Sequence, residues 1–274
     1  MNGRTGPRVL TGQVMASSHA NSRELDGVRA LVTGGTSGLG LAMAGALAGA
    51  GATVVITSRS AERAAAAAAG WPGAAGLAAD ASDEASVARA AGQVWSRLGG
   101  IDLLVNNAGL GMRTVNPRFM VDPQGFWDVP AGKFRAVVDA NLTGYFLMAR
   151  EVTPRMLAAG SGRIVNISVN QGTMTRRGFV PYGPSRAGTE ALSRVMAADL
   201  LGTPVTVNVL LSGGATETGM LPPAADRPAD LTPIDPAVMG PPIVWLASAA
   251  ARGVHDERIV ATEFGDWLGR RASR

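Results

Sequence analysis

The stretch that most constrains this chain is Thr33-Gly34-Gly35-Thr36-Ser37-Gly38-Leu39-Gly40. An apolar run, Arg29-Ala30-Leu31-Val32, leads into it, and a small-residue helical pattern from Leu41 to Ala48 leads away. Strand, glycine turn and helix in that order are the setting in which a glycine motif binds phosphate. Glycines permit the tight turn and let the backbone approach a phosphate closely. The helix N-terminus adds unpaired N–H groups and the positive end of a dipole. A dinucleotide pyrophosphate fits, so Gly34, Thr36, Ser37, Gly38, Leu39 and Gly40 are candidate cofactor contacts. The bland alternative is a strand-to-helix turn without a ligand.

Strand and helix patterns alternate from there. Residues 53–57 form a β-branched run, followed by an alanine-rich helix to Ala69. A weak strand over 77–79 ends at Asp80, and 82–98 reads as a helix with Ser82 as its cap. Strands are expected at 101–105, 163–167, 206–211 and 259–261, and helices over 133–159 and 184–201. Apolar strands alternating with helices argue for a single-domain α/β fold with a doubly wound parallel sheet. Two stretches break the rhythm. Residues 110–132 carry Met112, Pro117, Phe119, Met120, Phe126 and Trp127, and residues 213–242 are rich in proline and glycine. Both follow strands, where ligands sit in open α/β sheets, and both read as substrate walls.

With no cysteine, the chain has no disulfide, thiolate metal site or cysteine nucleophile, which suits a cytoplasmic protein. The net charge of +4 is spread thinly, with no basic stripe, so nucleic acid is not an expected partner; no uninterrupted apolar run is long enough to span a membrane, so a membrane is not expected either. The only histidines, His19 and His255, lack metal-ligand spacing; both read as surface residues, and no metal is expected. Residues 1–24 read as a flexible leader before a domain over 25–274.

The second strand ends Ile56-Thr57-Ser58-Arg59. An acid at this point of a dinucleotide fold binds ribose hydroxyls, whereas a basic residue accommodates a 2′-phosphate. Ser58 and Arg59 therefore predict NADP(H) over NAD(H). Tyr182 and Arg186 lie four residues apart, on one helical face. A phenol beside a cation is a sensible general acid for carbonyl reduction.

Together, Thr33-Gly34…Gly38-Leu39-Gly40, Asn106-Asn107-Ala108-Gly109, Asn141-Leu142-Thr143-Gly144 and Tyr182 resemble the short-chain dehydrogenase/reductase family in order and spacing. The resemblance covers roughly residues 25–265. It implies a Rossmann fold, a nicotinamide cofactor, a small-molecule substrate and a homodimer or homotetramer. By the same resemblance Asp80 and Ala81 flank the adenine, and Asn107, Ala108 and Gly109 line the cofactor ribose. Gly213, Gly214, Thr216 and Thr218 cover the nicotinamide, and Tyr182, Arg186 and Asn141 are catalytic, with Tyr182 and Arg186 also touching the cofactor.

The chain departs from the family pattern in three places. Arg186 stands where lysine is usual, Ser212-Gly213 replaces proline-glycine, and Val169 occupies the catalytic serine position thirteen residues before the tyrosine. Ser168 is the adjacent hydroxyl, but neighbours on a strand point to opposite faces, so it serves only if the strand end twists. Arginine keeps the charge and cannot release a proton. Loss of one oxyanion-type donor costs about a hundred- to a thousand-fold in turnover. The sequence therefore predicts an oxidoreductase passing hydride to or from a carbonyl, imine or enone carbon of a small, largely apolar substrate. Non-redox cyclisation or elimination and cofactor binding without turnover stay open beside it. Glu217 is a loop carboxylate, solvated or set against a cationic substrate.

Overall fold

In chain order the strands and helices of the computed structural model, which describes residues 24–273, begin with β1 (Arg29–Val32), α1 (Gly38–Gly49), β2 (Thr53–Ser58), α2 (Ala61–Ala68), β3 (Ala75–Ala78), α3 (Glu84–Leu98) and β4 (Leu103–Asn106). There follow α4 (Ala131–Val138), α5 (Gly144–Ala159), β5 (Gly162–Ile167), the four-residue α6 (Gln171–Met174), α7 (Tyr182–Asp199) and β6 (Val205–Leu211). The chain ends in α8 (Gly240–Ala247), β7 (Arg258–Val260) and α9 (Phe264–Ala272). Apart from Glu24, the leader expected over 1–24 lies outside the described residues, and so does His19.

The described strands form one parallel sheet in the order β3-β2-β1-β4-β5-β6-β7. Its central strands are apolar almost throughout because both faces are covered. Val32, Ile56, Val105 and Ile167 pack with Met43 and Leu47 of α1 and Ile243 and Leu246 of α8. Their neighbours Leu31, Val55, Leu104 and Ile164 pack with Val87 and Val94 of α3 and Val152 and Met156 of α5. The winding reverses between β1 and β4, which opens a crevice beyond the carboxyl ends of the strands. The glycine turn leaves β1 at that point. This is the single-domain, Rossmann-type doubly wound sheet expected.

Three local features differ from the sequence reading. The cap of α3 is Asp83, whose carboxylate accepts from Ser86 N at 2.5 Å. Ser82 instead donates its N–H and hydroxyl to Asp80 Oδ1 at 2.9 and 2.6 Å, closing the turn before the helix. The helix expected over 133–159 is interrupted by a π-turn, Asp139–Thr143, which holds Asn141 in the interior with no exposed surface. Helices α8 and α9 were not read, since α8 opens on Gly240-Pro241-Pro242 within a segment whose composition signals loop.

Candidate active site

The floor of the crevice is the turn between β1 and α1. Gly34 and Gly38 have φ of +64° and +52°, which side chains with a Cβ rarely adopt. A Cβ on Gly34 would sit 2.8 Å from Ala108 Cα. Asn107 donates through Nδ2 to the carbonyls of Thr33 and Gly34 at 3.0 and 3.1 Å. Thr33 Oγ1 accepts from the N–H groups of Asn107 and Ala108. These bonds clamp the turn to the end of β4. Gly40 lies against the Gly34 carbonyl and the Asn107 amide, with no room for a side chain. Gly40→Ala is accordingly expected to cost about 1–3 kcal/mol of stability, as overpacking typically does, and thermal unfolding would measure it. Ser37, the N-cap of α1, makes no side-chain cap bond, so the helix's first N–H groups face the crevice uncapped.

A cavity of about 1060 Å³ runs from this turn across the carboxyl ends of the strands. Gly34, Thr36, Ser37, Gly38, Leu39 and Gly40 line it, as do Ser58, Arg59, Asp80, Ala81, Asn107, Ala108 and Gly109. At the β2 end Ser58 is buried and its hydroxyl accepts from Ser60 N at 3.3 Å, leaving exposed Arg59 at the rim. Arg63, in the first turn of α2, joins the lining and is absent from the sequence reading. Hydrogen bonds from Ser82, aided more weakly by the Arg59 charge, hold the Asp80 carboxyl below its usual range.

At the other end, Tyr182 is the first residue of α7, half-buried against Met112, Phe119 and Phe179. Arg186 is 3% exposed, and its Cζ lies 5.4 Å from the centroid of the Tyr182 ring. Its Nη1 donates to the hydroxyl of Tyr145 at 2.8 Å and to the Ile167 carbonyl at 3.1 Å, while Nε is buried without a hydrogen-bond partner. Tyr145 was not read from sequence. It is the only other tyrosine in the chain and lies four residues after Asn141, and those two facts were available signals.

Three expected site residues do other work in this geometry. Asn141 does not line the cavity: its Oδ1 accepts from Leu110 N at 2.7 Å, and its Nδ2 donates to Leu110 O and Ser185 Oγ, both at 3.0 Å. Its main-chain carbonyl accepts from Thr189 Oγ1 at 3.0 Å. It ties the loop after β4 to α7. Ser168 lines the cavity, but its hydroxyl donates to Glu190 Oε1 at 2.6 Å; Arg258 holds that carboxylate in turn. The hydroxyl considered as a stand-in for the one absent at Val169 is therefore engaged. Gly213, at φ +106°, makes the turn after β6 without lining the cavity, whereas Gly214, Thr216 and Thr218 do line it.

The loop after β4 contributes Met112, Phe119 and Met120 to the wall, but Phe126 and Trp127 point outward, 68% and 75% exposed. The loop after β6 contributes Met220, Leu221 and Leu231. Glu217 is paired with Arg227 at 2.6 and 2.8 Å rather than turned to a cationic ligand. His255, read as a surface residue, is half-buried and bonded: Nδ1 accepts from Val207 N at 3.2 Å and Nε2 meets the Ala197 carbonyl at 2.8 Å, joining β6 to α7. Among the described residues no group of His, Cys, Asp or Glu is arranged to hold a metal ion.

The donor set fits a dinucleotide. The glycine cradle and uncapped helix offer N–H groups to a pyrophosphate, and the buried Arg186 Nε awaits an acceptor. Comparisons with known proteins show the family. The family profile for short chain dehydrogenases matches residues 29–228. D-threitol dehydrogenase of Mycolicibacterium smegmatis is 38% identical over 190 residues, 68% of this chain and 69% of that protein. A 3-ketoacyl-(acyl-carrier-protein) reductase of Brucella melitensis, solved with NADH, superposes with a TM-score of 0.75 at 28% identity, covering 86% of this chain and 97% of that one. A short chain dehydrogenase of Burkholderia cenocepacia, solved with NADP, superposes with a TM-score of 0.72 at 28% identity and the same coverage.

Proposed function

The chain belongs to the short-chain dehydrogenase family, whose members are nicotinamide-dependent oxidoreductases, and we propose that this member is an NADP(H)-dependent reductase of a small, largely apolar carbonyl, imine or enone compound. The observation that carries the reading is the placement of Tyr182 and Arg186 at the apolar end of one cavity whose other end is the glycine cradle and Arg59. A reduced nicotinamide bound in this cleft supplies the hydride. The chain supplies the rest. The Tyr182 hydroxyl gives its proton to the oxygen or nitrogen that gains charge, and the Arg186 cation beside it stabilises the phenolate left behind. The guanidinium cannot itself pass a proton on, so reprotonation of Tyr182 runs through solvent in the cavity. Asn141 acts by fixing the loop after β4 against α7.

The two superposed relatives carry NADP in one case and NADH in the other, so the preference rests on this chain's own residues. Exposed Arg59 and Arg63, with Ser58 and no acid at the end of β2, favour a 2′-phosphate. Removing one charge-assisted contact weakens binding by about 10- to 100-fold. Arg59→Ala is therefore expected to lose NADPH affinity on that scale and to leave NADH affinity unchanged, as read by calorimetric titration. Equal loss for both nucleotides would overturn the preference. Apolar side chains left exposed on α5 and α7, among them Phe146, Leu157 and Val195, support a homodimer or homotetramer.

A further inference from the structure

A buried guanidinium is a permanent charge whose donors need partners. Among the described residues no carboxylate pairs with Arg186; the groups around it are the chain's only two tyrosines and a main-chain carbonyl. Its Cζ stands 5.6 Å from the Tyr145 ring centroid and 5.4 Å from that of Tyr182. Burial pushes the Tyr145 phenol up, and the neighbouring Arg186 charge offsets only part of that. Tyr145 is thus a neutral hydroxyl, accepting from Nη1 and donating to the Ile167 carbonyl at 3.3 Å. Burial disfavours the Arg186 charge, the hydrogen bond to the Tyr145 hydroxyl and the two ring faces offset it, and the guanidinium stays protonated.

We propose that Tyr145 is the positioning residue that makes an arginine serviceable at position 186. An ammonium is a point charge with rotatable donors, whereas a guanidinium is a planar fork whose donors point in fixed directions. Turned wrongly in a closed site, that fork strands further donors beside Nε, which already lacks a partner here. The Tyr145 hydroxyl holds Nη1 at the inner end, and this sets the plane of the whole group. The Nη2 edge then lies against Gly109, where a Cβ would come within 2.8 Å of it, and Nε keeps its buried place without a partner. Gly109 therefore leaves room for the fork, and Tyr145 orients it. Tyr145 is the second residue of α5, in the turn that follows the π-turn holding Asn141, so one short segment fixes both the loop after β4 and the cation.

This inference rests on the reading that the cavity takes NADPH. It is tested on the full-length protein with Tyr145→Phe, Arg186→Lys and the double variant, by NADPH calorimetry and by the melting temperature of each. Tyr145→Phe keeps the ring and removes only the hydroxyl. It is expected to weaken NADPH binding about tenfold in the parent, the scale of one hydrogen bond to a charge. In the Arg186→Lys background the same change is expected to cost less than about twofold, because a lysine ammonium does not depend on a fixed plane. Equal losses in both backgrounds would overturn the proposal, since a mere packing role for Tyr145 is indifferent to residue 186. If Tyr145→Phe alone does not fold, melting temperature decides: recovery in the double variant supports the pairing, and no recovery overturns it. A parent protein that binds NADPH but oxidises it with no ketone would remove the reductase reading, and the affinities would still decide this one.

Discussion

Tyr182→Phe is expected to lower NADPH-dependent turnover by about 10²- to 10⁴-fold, the range that a positioned general acid contributes. NADPH affinity should stay within about twofold, because the ring remains and only a hydroxyl of modest net binding value is lost. The split follows from where the residue sits. Tyr182 packs its ring against Met112, Phe119 and Phe179 and lines the cavity at the first turn of α7. The ring's packing is shared by phenylalanine; the proton is not. Steady-state rates and calorimetry on the two proteins measure the effect. A variant with unchanged turnover would shift the chemistry away from Tyr182, and one that lost NADPH binding as well would make the residue structural.

Much of this site was legible because its parts are local. The turn from Gly34 to Gly40 is written in consecutive residues, and its context of apolar strand and small-residue helix fixes what it can be. The end of β2 is equally local, so Ser58 and Arg59 were found where they stand. Tyr182 and Arg186 are one helical turn apart and needed only helical periodicity. What escaped the sequence depends on where side chains turn after folding. Ser168 and Val169 are neighbours, and nothing in the sequence says that Ser168 meets a carboxylate 22 residues away on α7. Asn141 was recognised as a site residue, but its bonds to Leu110 and Ser185 cross from one element to another. The loop over 110–132 was read as one wall, and its aromatic residues divide between the cavity and solvent. Tyr145 escaped for a different reason: on a helix rich in apolar residues, a lone tyrosine reads as core until its partner is known.

Val169→Ser is expected to raise turnover of simple ketones by about 10²- to 10³-fold, the inverse of what losing one oxyanion-type donor costs. The argument turns on what the strand end offers at present. Val169 lines the cavity beside the substrate walls, and its side chain has no donor. Ser168 cannot compensate while its hydroxyl serves Glu190, a carboxylate that Arg258 also holds at 3.0 and 3.1 Å. The same Arg258 donates to the Val169 carbonyl at 2.9 Å, so the main chain at 169 is fixed from behind and a serine would inherit its direction. A carbonyl oxygen that gains charge with only Tyr182 to answer it is under-stabilised, and a second donor relieves that. An iminium starts with its own positive charge, and a conjugated enone spreads the developing charge away from the attacked carbon. For these the valine costs little, and the serine brings little. Comparing cyclohexanone, 2-cyclohexenone and a cyclic iminium in the parent and Val169→Ser proteins separates the two cases. A gain confined to cyclohexanone would mean that the parent site is tuned to an electrophile that arrives activated. A parent that already reduces cyclohexanone fast, with no gain from serine, would mean that another donor fills the place of the missing hydroxyl. Asn170 and Thr173, which also line the cavity, would then be the residues to change next.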